Sequence, residues 1–506
     1  MMPNRTIAER LTVPQLPPTG QLLLDGGDDR IALNPETGLN KYGCGPLPSQ
    51  RLLAFGSSTA STISEQAFAA AGNLRDRLLG DLSSSSCEAV YRRELQRVRW
   101  ELLALCGLDK LPGIEVAIAA SGTDLHSLVA RMVRRHVSSR TCIIMMDPDE
   151  TGCGIQAALG NQYPYPVQSV RDGDDGLSLF SVRLRRTDGK PRPQTEVDGE
   201  VETLANHAVR QGRRVLLIQL DVSKTGLLAP SLACIDRLQR QFEDRLDVLV
   251  DACQFRIAPA SLSAYLRRGC MVAITGSKFL GGPSFSAALL MPCEVAGRFR
   301  RSALPSDGMA CCMPAEWPSS WRAAGRFKCV PNFGLLLRWE AALAEFRDFS
   351  AVQEEHVVAF LQTFADAIQR RLTDDPAFEP LSVLPVERQP TASQNAWDSF
   401  PTIFPFLVFR TPSTLPLNRA EIARVYRSLL LGSSQSSDQI CCQMGQPVAC
   451  GFRDETPVAA LRLCLSARLI VEGTADAGRH ATSVIDRAMQ ALDKAKWLAE
   501  HRPDSS

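Results

Sequence analysis

Between residues 114 and 291 the chain alternates short apolar runs, bounded by Gly, Pro, Ser or Thr, with stretches of helical spacing. The runs fall at 114–120, 141–146, 177–184, 215–222, 247–251, 271–275 and 285–291. They are too short for buried helices and read as strands. The helical stretches at 124–136, 201–211, 232–242 and 261–268 provide the crossovers that parallel strands require. The pattern predicts an α/β fold with a mostly parallel sheet of about seven strands, sandwiched by helices. The last run follows a tight turn and is expected to run antiparallel.

At 506 residues the chain is long enough for two or three domains and a sizeable core. Its 56 Lys plus Arg against 55 Asp plus Glu give no electrostatic case for nucleic acid or an anionic membrane. No apolar run approaches the roughly 20 residues of a bilayer span. The first 20 residues lack a signal-peptide core, so a cytoplasmic protein is expected. Sixteen scattered cysteines without a C-x-x-C pair suggest neither zinc nor a thioredoxin-type site, and read as reduced, small apolar residues.

Chemistry concentrates at the end of the run 271–275. There Thr275-Gly276-Ser277 precedes a single lysine, Lys278, followed by Gly281-Gly282-Pro283. An ammonium held in partly desolvated surroundings loses some preference for its charged form, which frees the amine as a nucleophile. Upstream, Val248-Leu249-Val250 delivers Asp251 at its carboxyl end, with Gln254 one turn later. A short crossover at 259–268 would bring both strand ends to one crevice. A lysine and a carboxylate so placed suit pyridoxal phosphate, the lysine as Schiff-base partner and the acid on the pyridinium nitrogen. The alternative is a helix-capping Asp251 and a solvated turn lysine.

Asp251-Ala252-Cys253-Gln254 resembles the D-A-x-Q of class V aminotransferases and cysteine-desulfurase-like enzymes. Ser277-Lys278-Phe279-Leu280-Gly281-Gly282-Pro283 resembles their lysine motif. The likeness spans roughly residues 85–300 and implies the type I fold of pyridoxal-phosphate enzymes. It divides the chain into an N-terminal arm and active-site loop (1–84), a large cofactor-binding domain (85–335) and a small C-terminal α+β domain (336–506). Outside the sheet the sequence reads as an extended arm over residues 1 to about 30, an irregular segment at 301–331, a long helical pattern at 333–372 and strands at 402–409 and 461–470. Within the likeness, Gly122 and Thr123 in AASGTDLH match the phosphate turn, where glycine and free amides at a helix start suit an anion. Thr275 and Ser277 add hydroxyls. Ser223, in QLDVSKTGLLAP, stands where a polar contact to the ring oxygen or substrate is expected, and Gln254 would orient the ring oxygen. Arg462, on ALRLCLS, matches the arginine that grips a substrate carboxylate through a bidentate fork. Arg468 is the second candidate.

Other expectations follow from the same likeness. The loop at 39–64 could bring Tyr42, Ser57, Ser58 and Thr59 to substrate, or serve as plain loop and helix caps. Asn332 to Gly334 could contribute across a homodimer interface. The chain departs from the pattern at the ring-stacking position, where Thr151 stands instead of histidine or an aromatic. Cys441-Cys442 has no adjacent base and is read as structural rather than as a sulfur-accepting nucleophile. The implied activity is pyridoxal-phosphate chemistry on an amino acid through Lys278, either transamination or carbon–sulfur cleavage. A non-catalytic regulatory or scaffolding protein on the same fold is the rival. A more distant one is a nicotinamide oxidoreductase, from Gly152-x-Gly154-x-x-Ala157 with Asp172 and Asp174 downstream.

Overall fold

The computed structural model describes residues 16–136, 140–160, 177–301, 314–318, 320–321, 330–388, 396–410, 413–431 and 440–501. Twelve strands lie within them: β1 Leu52–Phe55, β2 Glu115–Ala119, β3 Thr141–Met146, β4 Leu177–Val182, β5 Arg214–Leu220, β6 Leu246–Ala252, β7 Met271–Thr275, β8 Ala287–Met291, β9 Phe378–Pro380, β10 Ile403–Val408, β11 Cys441–Arg453 and β12 Thr456–Cys464. All seven apolar runs are strands of one sheet, in the order β2-β8-β7-β6-β5-β3-β4. Only β8 runs antiparallel, to both β7 and β2; the other pairs are parallel. Strands β3, β5, β6, β7 and β8 are buried along their whole length. Helices cover both faces of such a sheet, which is why these strands read as continuous apolar runs without alternation.

Register sets the chemistry. Asp251 lies opposite Leu220 on β5 and Ala273 on β7, so it sits at the carboxyl edge of the sheet. Because β2 is parallel to β7 across β8, the turn after β2 opens on the same edge. Ligands of open parallel sheets bind there. The turn after Lys278 is held by close packing: a Cβ on Gly282 would come within 2.6 Å of the Cβ of Ala342. Ala342 belongs to the buried helix Phe333–Ser350, so the lysine loop is clamped between sheet and helix.

A second sheet, β1-β11-β12-β10-β9, contains the C-terminal strands together with β1 from the N-terminal stretch. β1 pairs parallel with β11, Leu52 opposite Cys441. The expected unbroken loop at 39–64 is therefore interrupted by a strand. The expected extended arm carries a short helix, Thr19–Leu22. The helical pattern at 333–372 is two helices, Phe333–Ser350 and Glu354–Asp374. Glu354 and Glu355 stand in the first turn of the second, where acids favour a helix start. The strand expected at 461–470 stops at Cys464. Ser466 Oγ then accepts the Leu469 N–H and opens the helix Ala467–Gly478. The irregular segment expected at 301–331 lies largely outside the described residues. No described helix is long and apolar enough to cross a membrane.

Candidate functional site

A cavity of about 260 Å³ opens at the carboxyl edge of the large sheet. Gly122, Thr123, Asp251, Thr275, Ser277, Lys278 and Arg462 all line it. The amine and the carboxylate thus share one cavity, as do the phosphate-turn residues and the arginine contributed by β12.

Asp251 is buried, and its Oδ1 accepts the Cys253 N–H at 3.1 Å. Its Oδ2 is 3.4 Å from Nε2 of His126, a fully buried ring on the helix Gly122–His136. Nδ1 of His126 donates to the Gly122 carbonyl at 2.7 Å, which turns Nε2 toward the carboxylate. Burial pushes the Asp251 carboxyl up, but the His126 charge and hydrogen bond outweigh it and hold the group well below the usual range. Burial likewise pulls His126 down, and the Asp251 carboxylate brings its net shift upward. The result is a stable buried anion. Sequence reasoning missed His126, although it stands one helical turn after Gly122 inside the quoted motif.

Lys278 is half-buried, and burial lowers its pKa. Ser61 Oγ donates to the Lys278 carbonyl at 3.2 Å and fixes the backbone at the root of the side chain. Cys253 also lines the cavity; burial raises its pKa well above the ordinary value, so it stays a thiol.

The turn after β2, expected to hold a phosphate, starts its helix with a reciprocal cap. Asp124 accepts from the Ser121 N–H and hydroxyl, and Ser121 Oγ accepts the Asp124 N–H. Gly122 fits tightly here, since a Cβ would lie 2.7 Å from Cys253 Sγ. A cation not anticipated from sequence meets this turn. Arg30 Nη1 donates to Thr123 Oγ1 at 3.1 Å and Nη2 to Ser121 Oγ at 3.2 Å, while its ε and η nitrogens also pair with Asp28. The segment carrying Arg30 is held by Arg338, which donates to the carbonyls of Leu23, Asp25 and Phe285. Replacing Arg30 with methionine is expected to weaken binding of a phosphorylated ligand at this turn by about 10- to 100-fold, the usual size of a charge-assisted contact. Titrating the apoprotein with pyridoxal phosphate checks this.

Two expected contacts are corrected. Ser223 and Gln254 do not line the cavity. Ser223 Oγ donates to Glu150 Oε2 at 2.7 Å, within a buried cluster of Glu150, Arg185 and Thr225. A carboxylate buried there needs every available donor, and Ser223 is one of them. The Gln254 amide donates to the Ser58 carbonyl at 3.0 Å and so pins the N-terminal loop. Thr275 donates to the Cys253 carbonyl and lies within 3.5 Å of the Ser277 hydroxyl.

Tyr42, Ser58 and Thr59 line the cavity, whereas Ser57 Oγ donates to the Leu465 carbonyl. Thr151 is buried off the cavity, and Gly152, Cys153, Gly154 and Ile155 form that wall instead. Tyr42 and Phe285 are the aromatic rings among the lining residues. Arg468 reaches Thr62 and Glu345 outside the cavity. Asn332 caps the helix at Leu335 and donates to the Gly26 carbonyl of its own chain. Cys441 and Cys442 belong to β11, away from the cavity. The dinucleotide alternative fails geometrically. Residues 147–151 separate β3 from the glycines, and the helix after them, Ile155–Leu159, has only five residues. Asp172 and Asp174 lie outside the described residues.

No family model and no curated protein sequence matches the chain. Solved structures do. The cystine C–S lyase C-DES, solved with its product cysteine persulfide, matches at 16% identity and a TM-score of 0.53, covering 87% of this chain and 97% of that one. Oryza sativa TDC, solved with PLP, matches at 12% identity and a TM-score of 0.52, covering 91% and 85%. Together with the strand order and the cavity at its carboxyl edge, these likenesses identify the architecture: the chain has the type I fold of pyridoxal-phosphate-dependent enzymes.

Proposed function

We propose that the protein is a pyridoxal-phosphate-dependent enzyme acting on an amino acid, with carbon–sulfur lyase chemistry as the favoured reaction and a homodimer as the working unit. The observation that carries this reading is the shared cavity of Lys278, Asp251 and Thr123. The donor set fits the cofactor at three points. Ser121, Thr123, Ser277 and Arg30 offer hydroxyl and guanidinium donors to a phosphate beside a helix start. Asp251, kept ionised by His126, suits a protonated pyridine nitrogen. Lys278 provides the amine. When bound, the cofactor supplies an electron sink for the pair left as a bond to the substrate α-carbon breaks.

The chain's own residues do the rest. Lys278 Nζ would hold the cofactor, and its burial-lowered pKa leaves a larger neutral fraction that would take a proton from the substrate α-carbon and return it. His126 is a positioning residue, fixing the carboxylate it faces. Arg462, only 1% exposed and facing the cavity, would take the substrate carboxylate. The lyase preference draws on the C-DES likeness. Cys153, exposed on the cavity wall, is also consistent with it.

Purified holoenzyme given cysteine should release sulfide, trapped by lead acetate; given cystine it should yield cysteine persulfide, from which a thiol added afterwards frees sulfide. Alanine with a keto acid should give little amino transfer. Amino transfer without sulfide would replace the lyase assignment by transamination, and no product from these or from acidic amino acids would contradict the enzymatic reading.

A further inference from the structure

After assignment of Arg30, Asp251 and Lys278, the same cavity still has three cations on its wall: Lys224, Arg419 and Arg462. The remaining acid among the lining residues is Asp149, which is exposed. Arg462 directs its donors to neutral oxygens: Ser58 Oγ at 2.7 Å, Thr59 Oγ1 at 2.9 Å, the Lys224 carbonyl at 3.1 Å and the Gln446 carbonyl at 2.7 Å. Lys224 Nζ likewise meets a neutral partner, the Asp149 carbonyl, at 3.1 Å. Burying cations among neutral acceptors is costly, and a bound anion relieves that cost. One α-carboxylate satisfies Arg462 and leaves two further cations on the same wall, half-buried Lys224 and exposed Arg419.

Lys224 is also rigidly presented. Val222 before it takes φ 58°, a strained value for a β-branched residue. The flanking Ser223 and Thr225 side chains are both locked onto Glu150, and the Lys224 N–H donates to the Glu150 carbonyl. Arg462 is bonded to the Lys224 carbonyl, so amine and guanidinium share one fixed piece of wall.

We propose that Lys224, with Arg419 lining the same cavity, forms a second anion subsite, so that the substrate is an amino acid whose side chain ends in its own acidic group. This rests on the amino-acid reading above and narrows its substrate class. The second group is a carboxylate, sulfinate or phosphate, chemistries that all accept from an ammonium.

The subsite is pH-dependent. Burial, then the Arg462 and Lys278 charges, bring Lys224 down to about 8, with Cys153 and Glu150 opposing. Arg419 and Asp149 face the same space. Lys224 is therefore charged below pH 8 and neutral above it, and preference for a second anion should fade as pH rises through that value.

The test uses full-length protein loaded with pyridoxal phosphate, reading Kd from the change in cofactor absorbance. Aspartate, glutamate, cysteine sulfinate and O-phosphoserine are compared with alanine and cysteine at pH 7 and pH 9. At pH 7 at least one doubly acidic amino acid should bind about 10- to 100-fold tighter than alanine, and the best of them identifies the anion. Lys224→Met should bring that ratio close to one. Lys224→Arg should keep it and carry it to pH 9. Equal affinities across the set, or an unchanged ratio in Lys224→Met, would overturn the subsite alone. No spectral change with any amino acid would contradict the amino-acid reading, and the subsite with it.

Discussion

Lys278→Ala should lower turnover of any amino-acid substrate by at least about 10³-fold, within the range of losses seen when a catalytic proton-transfer group is removed. In the proposed mechanism two functions vanish together, the attachment of the cofactor and the carriage of the α-proton. Lys224, the other amine in the cavity, is tethered to the Asp149 carbonyl and cannot substitute. The variant should remain folded. The contact that Lys278 makes with Ser61 uses its backbone carbonyl, which alanine keeps. The direction of its pKa shift agrees. The fold lowers the pKa of Lys278, so the charged form opposes folding at pH 7, and its removal should leave the apoprotein Tm equal or higher. Steady-state rates with thermal melts check both halves. Turnover within tenfold of the parent protein would refute the assignment.

The largest stability effect is expected at Arg388. It is 4% exposed and binds Asp221 through both ends of its fork, Nε to Oδ2 at 2.9 Å and Nη2 to Oδ1 at 2.7 Å. It also donates to the carbonyls of Asp398 and Arg256. Tyr265 adds a third donor to Asp221 at 2.8 Å, and Asp398 accepts the Ala258 N–H. The cluster joins the segment before β10 to the carboxyl edge of the large sheet. Arg388→Met fills similar volume but leaves two buried carboxylates without their cation, which costs about 3–5 kcal/mol. Urea unfolding measures it, and a loss below about 1 kcal/mol would contradict this account. Asp221 directly precedes the strained Val222, so the same variant should also disturb the Lys224 turn.

The legible part of the sequence was the part with local signals. Seven runs marked the strands of the large sheet, and the turn residues after them placed Asp251, Lys278 and Thr123 at one edge. Roles that depend on distant partners were not legible. Whether Ser223 faces a ligand or Glu150 depends on a carboxylate from the turn after β3, which needs donors of its own. The pairing of β1 with β11 joins segments nearly 400 residues apart and leaves no periodicity to find. Arg30 sits in a stretch rich in turns, and distant residues, Arg338 and Asn332 holding backbone carbonyls of that stretch, bring it to the turn after β2. Two misread boundaries did carry signals. Ser466 is a cap that ends the strand reading at 461–470, and Glu354-Glu355 marks a second helix start.

The central claim is a covalent link between vitamin B6 and one amine. Purified protein incubated with pyridoxal phosphate should gain the long-wavelength absorbance band of a lysine adduct. Borohydride should abolish that band and leave the pyridoxyl mass on the peptide containing Lys278. A protein that stays colourless, or a label found on Lys224 or another lysine instead, would contradict it.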